Sequence, residues 1–331
     1  MRRQRKLASL PTVVALALLI APLVAGAQPA GRVYRIGVLE TRSTVLNAAN
    51  MDAFREGMRE LGYKEGQNLE VVYRSSEGRD ERFPDLADEL MRLKVDLILT
   101  RGTPASLAAK RASRTIPVVM ASVGDPVGTG LVASLGRPGG NVTGLSNFNV
   151  EIYAKRVELL RELLPRMTRI AGLFNMGNPV IPIQWKQVEQ ATQSVGIQPQ
   201  LLDVRRPQDL RRAFEAATME RADALIVALE GLTQANLRPI AELAVKHRLP
   251  SLYGTREYAD LGGLITYGPS DPHLYHRSAT FVDRIFKGVK PAELAIEQPT
   301  KFELVINMKT AKALGLTIPP SLLLRTDQVI E

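Results

Sequence analysis

The side chains with the most chemical promise stand directly after short apolar runs. Thr41, Arg42 and Ser43 follow Arg35–Leu39, and Arg101-Gly102-Thr103-Pro104 closes the run at Asp96–Thr100. Ser122-Val123-Gly124-Asp125-Pro126 follows Pro117–Ala121, and Ser146 and Asn147 follow Asn141–Leu145. A second series further along supplies Asn175, Asn178, Glu230, Tyr253 and Tyr267. Hydroxyls, amides, tyrosines and a few charges suit hydrogen bonding to a small polar molecule. Each residue also has a purely structural role open to it. Thr103 is a natural helix N-cap with Pro104 at the first helical position, and the free N–H groups there would receive a carboxylate. Asn175, Asn178 and Asp125-Pro126 are turn formers. Tyr253 and Tyr267 suit half-buried packing. Arg42 could be a plain surface charge, and Glu230 could pair with a cation on the ligand or face water.

Signals for catalysis are poor. The three histidines are His247, His273 and His276. His247 falls at a helix C-terminus, where the dipole favours a cation. His273 and His276 share a helix face, but no carboxylate or third ligand is obvious nearby, so no metal site is expected. No G-x-S-x-G, H-E-x-x-H or P-loop pattern occurs. Gly136-Arg137-Pro138-Gly139-Gly140 lacks dinucleotide-binding spacing and reads as a connector. The expectation is a protein that is not an enzyme and needs no cofactor.

The elements that must position these residues alternate strand and helix. β-Branched apolar runs at Arg35–Leu39, Leu69–Tyr73, Asp96–Thr100, Pro117–Ala121 and Asn141–Leu145 read as buried parallel strands. Helical spacing of apolar residues marks Asn47–Leu61, closed by Gly62, and Phe83–Leu93. The alternation restarts after a boundary near 146–150. Helices are expected at Glu151–Leu164, Ile181–Val195, Gln208–Met219 and Gln234–His247. Strands are expected at Arg169–Phe174, Pro199–Asp203, Asp223–Ala228, Pro250–Tyr253 and Gly263–Tyr267. The tail, with a helix at His273–Gly288, a strand at Phe302–Asn307 and a helix at Met308–Leu314, is too small for its own core. It must pack on the two preceding units and cross between them, as the hinge of a clamshell would.

Ahead of this lies an export segment. Arg2, Arg3, Arg5 and Lys6 precede an apolar run from Leu7 to Val24, and Ala25-Gly26-Ala27 offers small residues for cleavage after Ala27. An uncleaved N-terminal anchor is the alternative. The chain has no cysteine, hence no lipid-bearing Cys after the leader and no disulfide. These features predict a soluble periplasmic protein. The net charge of +9 falls to +5 once the four basic residues of the leader are removed. That excess is modest, Arg205-Arg206 and Arg211-Arg212 lie among acidic neighbours, and aromatics are 5% of the chain. Nucleic acid is not an expected partner.

Several motifs carry a resemblance. Gly102-Thr103-Pro104-Ala105, Ile116-Pro117-Val118-Val119, Asp125-Pro126-Val127 and Arg137-Pro138-Gly139-Gly140-Asn141-Val142-Thr143-Gly144 come first. Leu249-Pro250, Tyr267-Gly268 and Val305-Ile306-Asn307-Met308-Lys309-Thr310-Ala311 follow. From about Arg35 to its end the chain resembles ABC-transporter substrate-binding proteins, in the group that includes binders of tryptophan and related aromatic amino acids. The resemblance implies an α/β, type I periplasmic-binding-protein fold: two doubly wound parallel-sheet lobes, a three-stranded hinge, and a ligand in the cleft. It implies contacts from 41–43, Thr103, Asp125, Ser146 and Asn147, with Arg42 selecting an acidic group. The expected organisation is a signal peptide at 1–27, an N-terminal lobe of 28–146 plus about 268–300, and a C-terminal lobe of 147–267 plus about 301–331. The expected role is capture of a small polar or amino-acid-like solute by a monomer that closes on it and hands it to an ABC permease in the inner membrane. The alternative is a periplasmic ligand sensor serving a membrane signalling receptor.

Overall fold

The computed structural model describes residues 32–147 and 152–331. The predicted leader, the boundary segment 148–150 and the predicted helix start at Glu151 lie outside these residues. Among the described residues, no helix is long and apolar enough to cross a membrane.

The first lobe runs β1 (Tyr34–Glu40), α1 (Ala48–Glu60), β2 (Leu69–Ser75), α2 (Phe83–Arg92), β3 (Leu97–Arg101), α3 (Thr103–Ala112), β4 (Val118–Val123) and β5 (Val142–Ser146). Its strands form a parallel sheet in the order β2-β1-β3-β4-β5. Strands β3, β4 and β5 are buried along their whole length, as a sheet covered on both faces requires. Ile36, Val38, Leu97 and Leu99 join one core with α1, while Leu39, Ile98, Val118 and Met120 join the other with α2 and α3. One glycine is fixed by close approach. Gly144 has φ 126°, and a Cβ there would lie 2.2 Å from the Met120 carbonyl oxygen.

The second lobe runs α4 (Tyr153–Leu163), β6 (Arg169–Phe174), α5 (Ile181–Gln193), β7 (Gln198–Asp203), α6 (Asp209–Met219), β8 (Ala224–Val227), α7 (Gly231–Ala235), α8 (Leu237–Lys246), β9 (Ser251–Tyr253), α9 (Glu257–Asp260) and β10 (Ile265–Pro269). After α10 (Asp271–Phe286) come β11 (Phe302–Asn307), α11 (Met308–Leu314), α12 (Pro320–Leu323) and β12 (Gln328–Ile330). The sheet order is β12-β11-β10-β9-β8-β6-β7. Its first five strands repeat the winding of the first lobe. β11 pairs antiparallel to β10 because the chain returns from the first lobe, where α10 packs on α1 and β4. The chain passes between lobes after β5, after β10 and before β11.

Three expectations need correction. The helix expected over Gln234–His247 is two helices, α7 and α8, broken at Asn236 (φ −122°, ψ 35°). Pro239 explains the break, since in a continuous helix its ring would clash with the Ala235 carbonyl. The cap of α3 is Gly102, with φ 79°, and Thr103 is the first helical residue. The chain reverses there through a left-handed conformation that glycine adopts freely. The short strand β12, which extends the second sheet, was not anticipated; its exposed Gln328 and Val329 carry no buried apolar signal.

Candidate functional site

A doubly wound sheet opens a crevice where its winding reverses, outside the carboxyl ends of its strands. In the first lobe that point lies between β1 and β3, and in the second between β6 and β8. The two crevices face each other. Thr41, Arg101, Gly102, Thr103, Ser122, Gly124 and Asn147 line the first side of the resulting cleft. Asn178, Val180, Gln184, Leu229, Glu230, Gly231 and Gln234 line the second. The lobes stand close together: the space open to the centre of a water-sized sphere is about 20 Å³. That volume suits a water molecule, so admission of any larger solute requires the lobes to part. Pro104 also borders a neighbouring groove of about 340 Å³, lined by Phe83, Pro84 and Leu107 of the first lobe and Gly177 and Pro179 of the second.

The cleft has a distinctive polarity. Arg101 Nε, Thr103 Oγ1, Gln184 Nε2 and Gln234 Nε2 are buried without a hydrogen-bond partner among the described residues. All four are able to donate. Against them stands the carboxylate of Glu230, 5% exposed. It caps α7 by accepting the Thr233 N–H at 2.7 Å, and Asn175 Nδ2 donates to it at 3.4 Å. Burial pushes the Glu230 carboxyl above the usual range, opposed by the N–H groups of Thr233 and Leu232 and by Asn175. Such a surface complements a molecule rich in acceptors that also carries one cationic group.

Below the first-lobe side lies a buried charge network. Arg101 Nη2 donates to Asp271 Oδ2 at 2.6 Å and Nη1 stands 3.8 Å from Glu40 Oε1. Glu40 also accepts from Tyr275 Oη, from Asn47 Nδ2 at 3.2 Å and from the Thr41 N–H at 2.7 Å. Asn147 Nδ2 donates to Ser122 Oγ, which donates to Asp271 Oδ1, both at 3.3 Å. Arg101 is thereby anchored through its terminal nitrogens while Nε is left over.

Of the residues singled out in the sequence, Thr41, Thr103, Asn147, Asn178 and Glu230 line the cleft. Arg42 Nε and Nη2 are buried without a hydrogen-bond partner among the described residues. Its Nη1 binds Glu257 Oε1 of the second lobe at 2.9 Å, with the Arg42 side chain fully buried. Burial opposes the Glu257 charge, yet Arg42 outweighs it and holds that carboxyl at about 2. Ser43 Oγ accepts the Leu46 N–H, and Ser146 Oγ donates to the Gly124 carbonyl. Asp125 accepts the N–H groups of Val127 and Gly128, the turn-forming role. Asn175 reaches the cleft only through Glu230. Tyr253 is wholly buried, stacked on Tyr258 at 4.1 Å, and Tyr267 stacks on Phe302 at 5.8 Å. Gln184 and Gln234 were missed, although a glutamine among apolar helix positions is the kind of signal that marks such a site. Asp80 was also missed. Its Oδ1 lies 3.4 Å from where a Cβ on Gly231 would stand, which brings a first-lobe carboxylate beside Glu230. Burial, then Glu230 and Glu81, push the Asp80 carboxyl up to about 7.

Comparison with known proteins agrees with the two-lobed fold. The tyrosine-binding protein of Clostridioides difficile (strain R20291) is 24% identical over 264 residues, 80% of this chain and 75% of that protein. A conserved domain protein of Vibrio cholerae O1 biovar El Tor matches at TM-score 0.85 and 26% identity, over 90% of this chain and 100% of that one. An ABC domain in complex with L-Trp from Streptococcus pneumoniae matches at TM-score 0.84 and 26% identity, with the same coverage. The likeness in fold extends to type I periplasmic binding proteins, as the two doubly wound lobes require. The family model described as "ABC transporter substrate binding protein" spans residues 36–330. The chain therefore belongs to the substrate-binding proteins of ABC transporters, a family that binds a solute rather than transforming it.

Proposed function

We propose that this protein captures an amino acid with a large apolar side chain in the cleft between its lobes, outside the cytoplasm, and delivers it to an ABC permease in the inner membrane. The carrying observation is the set of four unpartnered buried donors facing a buried carboxylate. A zwitterion supplies acceptors to the first and an ammonium group to the second. The side chain extends past Pro104 toward the apolar groove at Phe83, Pro84 and Leu107. The relatives named for tyrosine and bound to L-Trp support this class of ligand.

The mechanism is differential binding. A solute that touches donors of both lobes stabilises the closed form alone and shifts the population toward it. The Arg42–Glu257 pair links the lobes in the closed arrangement. Closure exposes a composite outer surface for the permease to recognise. The leader at 1–27 directs export and is removed after Ala27, and the mature chain acts as a monomer. Thermal-shift and calorimetric titrations with the common amino acids test this reading. L-Tyrosine or L-tryptophan should raise the melting temperature by mass action, with no chemical change in the amino acid. A flat response to every amino acid, or measurable turnover, would overturn it.

A further inference from the structure

At the floor of the second lobe lies a guanidinium group without an anionic partner among the described residues. Arg156, on α4, is fully buried. Its Nε donates to the Tyr267 carbonyl at 3.0 Å, and its Cζ stands 4.9 Å from the centroid of the Tyr153 ring. Neither contact neutralises the charge. Nη1 and Nη2 have no hydrogen-bond partner among the described residues. Burial pulls the Arg156 pKa down, as expected of a cation kept from water. An arginine with two idle donors at such depth is costly unless something pairs with it part of the time.

Its surroundings point toward the cleft. A Cβ on Gly254 would lie 2.9 Å from Arg156 Nη2, and one on Gly268 would lie 3.5 Å from it. These glycines sit at the carboxyl ends of β9 and β10, the edge that faces the first lobe. Leu229, whose side chain packs against the same Gly254 position, lines the cleft. Tyr153, whose ring supports the guanidinium, donates its hydroxyl to Gln184 Oε1 at 2.9 Å. That bond leaves Gln184 Nε2 as one of the four idle donors of the cleft.

We propose that Arg156 is an anion-binding residue of the solute site, which forks around the carboxylate of the captured molecule with Gln184 Nε2 as a third donor. The proposal rests on the cleft being the amino-acid site and assigns its ends. The carboxylate goes to the second lobe, beside the Glu230 carboxylate that receives the ammonium. Leu229, which packs against the Gly254 position beside Arg156, directly precedes Glu230 in the chain. A planar fork matches a carboxylate in a way a lysine does not.

The test compares the mature wild type with Arg156→Gln and Arg156→Lys, using L-tyrosine, L-tryptophan and their carboxylate-free counterparts tyramine and tryptamine as calorimetric probes. Arg156→Gln should weaken the amino acids about 100-fold while changing the amines less than about threefold, and Arg156→Lys should weaken the amino acids about tenfold. Equal affinity in all three proteins, or equal losses for amino acids and amines, would overturn the assignment. If Arg156→Gln does not fold, Arg156→Lys decides alone: a tenfold selective loss supports the site and a change within about twofold overturns it. If the wild type binds neither amino acid, the amino-acid reading fails separately. The anion site is then judged on acetate and benzoate at fixed ionic strength. A carboxylate-dependent rise in melting temperature that vanishes on substitution upholds it, and the same response in variant and wild type, including none in either, overturns it.

Discussion

Two polar regions lie within a few residues of each other in the first lobe, and they differ in how their hydrogen bonds are met. The network of Glu40, Arg101, Asp271 and Tyr275 is fully buried, and its carboxylates are surrounded by donors from β1, β3 and α10. The cleft above it, between the lobes, holds donors of equal burial that have no hydrogen-bond partner among the described residues. Unmet buried donors are rare in folded proteins because each costs about 1–3 kcal/mol. On the proposed function, the contrast separates polar residues that hold the lobe together from those that wait for a solute. Arg101 belongs to both, with its terminal nitrogens tied down and Nε free.

The contrast predicts opposite responses to substitution. Asp271→Ala leaves buried Arg101 with only the longer pair to Glu40 at 3.8 Å, so it should cost about 3 kcal/mol of stability, seen as a lower denaturation midpoint. A loss below about 1 kcal/mol would place Asp271 outside the scaffold. Thr103→Ala and Gln184→Ala should each lower affinity for the captured amino acid about tenfold or more, because each removes one donor to the solute. Unliganded Thr103→Ala should stay within about 1 kcal/mol of wild type, since its hydroxyl has no protein partner to lose, whereas Gln184→Ala also takes the acceptor from the buried Tyr153 hydroxyl and should cost about 1–3 kcal/mol. Calorimetry and chemical denaturation together check both halves.

Smaller effects test the lobe contacts. Arg42→Ala removes the interlobe pair with Glu257 and should shift the unliganded protein toward open forms, seen in small-angle scattering as a larger radius of gyration. An unchanged profile would show that the pair does not bias closure. The Asp80 carboxyl is raised to about 7 from an ordinary value of about 3.9. The folded state thus holds a proton that the unfolded chain has released, so the stability tied to Asp80 is fullest below about pH 4 and lost as pH rises through about 7. Asp80→Asn should leave melting near pH 4 almost unchanged and raise it relative to wild type at pH 8. Parallel pH curves for the two proteins would exclude a raised Asp80 carboxyl. The smallest effect is expected at Asp125, whose carboxylate is occupied by Val127 and Gly128. Asp125→Ala should cost about 1 kcal/mol of stability and leave ligand affinity unaltered.

Much of the scaffold is written in local patterns. The apolar runs that become β1, β3, β4 and β6 and the spacing that becomes α1 and α2 depend on neighbours a few residues away. So does the placement of rim residues, because a parallel strand aims its following loop at the crevice. Thr41, Thr103, Asn147, Asn178 and Glu230 line the cleft for that reason. What could not be read locally is the partner each rim residue takes. Arg42 reads locally as a ligand contact or a surface charge, and its pairing across the lobes with Glu257, 215 residues away, is invisible there. Arg101 looks unremarkable until Asp271, 170 residues on, fixes its orientation. Gln184, Gln234, Asp80 and Arg156 gain their meaning only from juxtaposition across sheets and lobes. Backbone periodicity is set by steric rules within a turn or a strand, whereas the satisfaction of a buried polar atom is settled by whichever distant group the packed fold brings within about 3 Å of it.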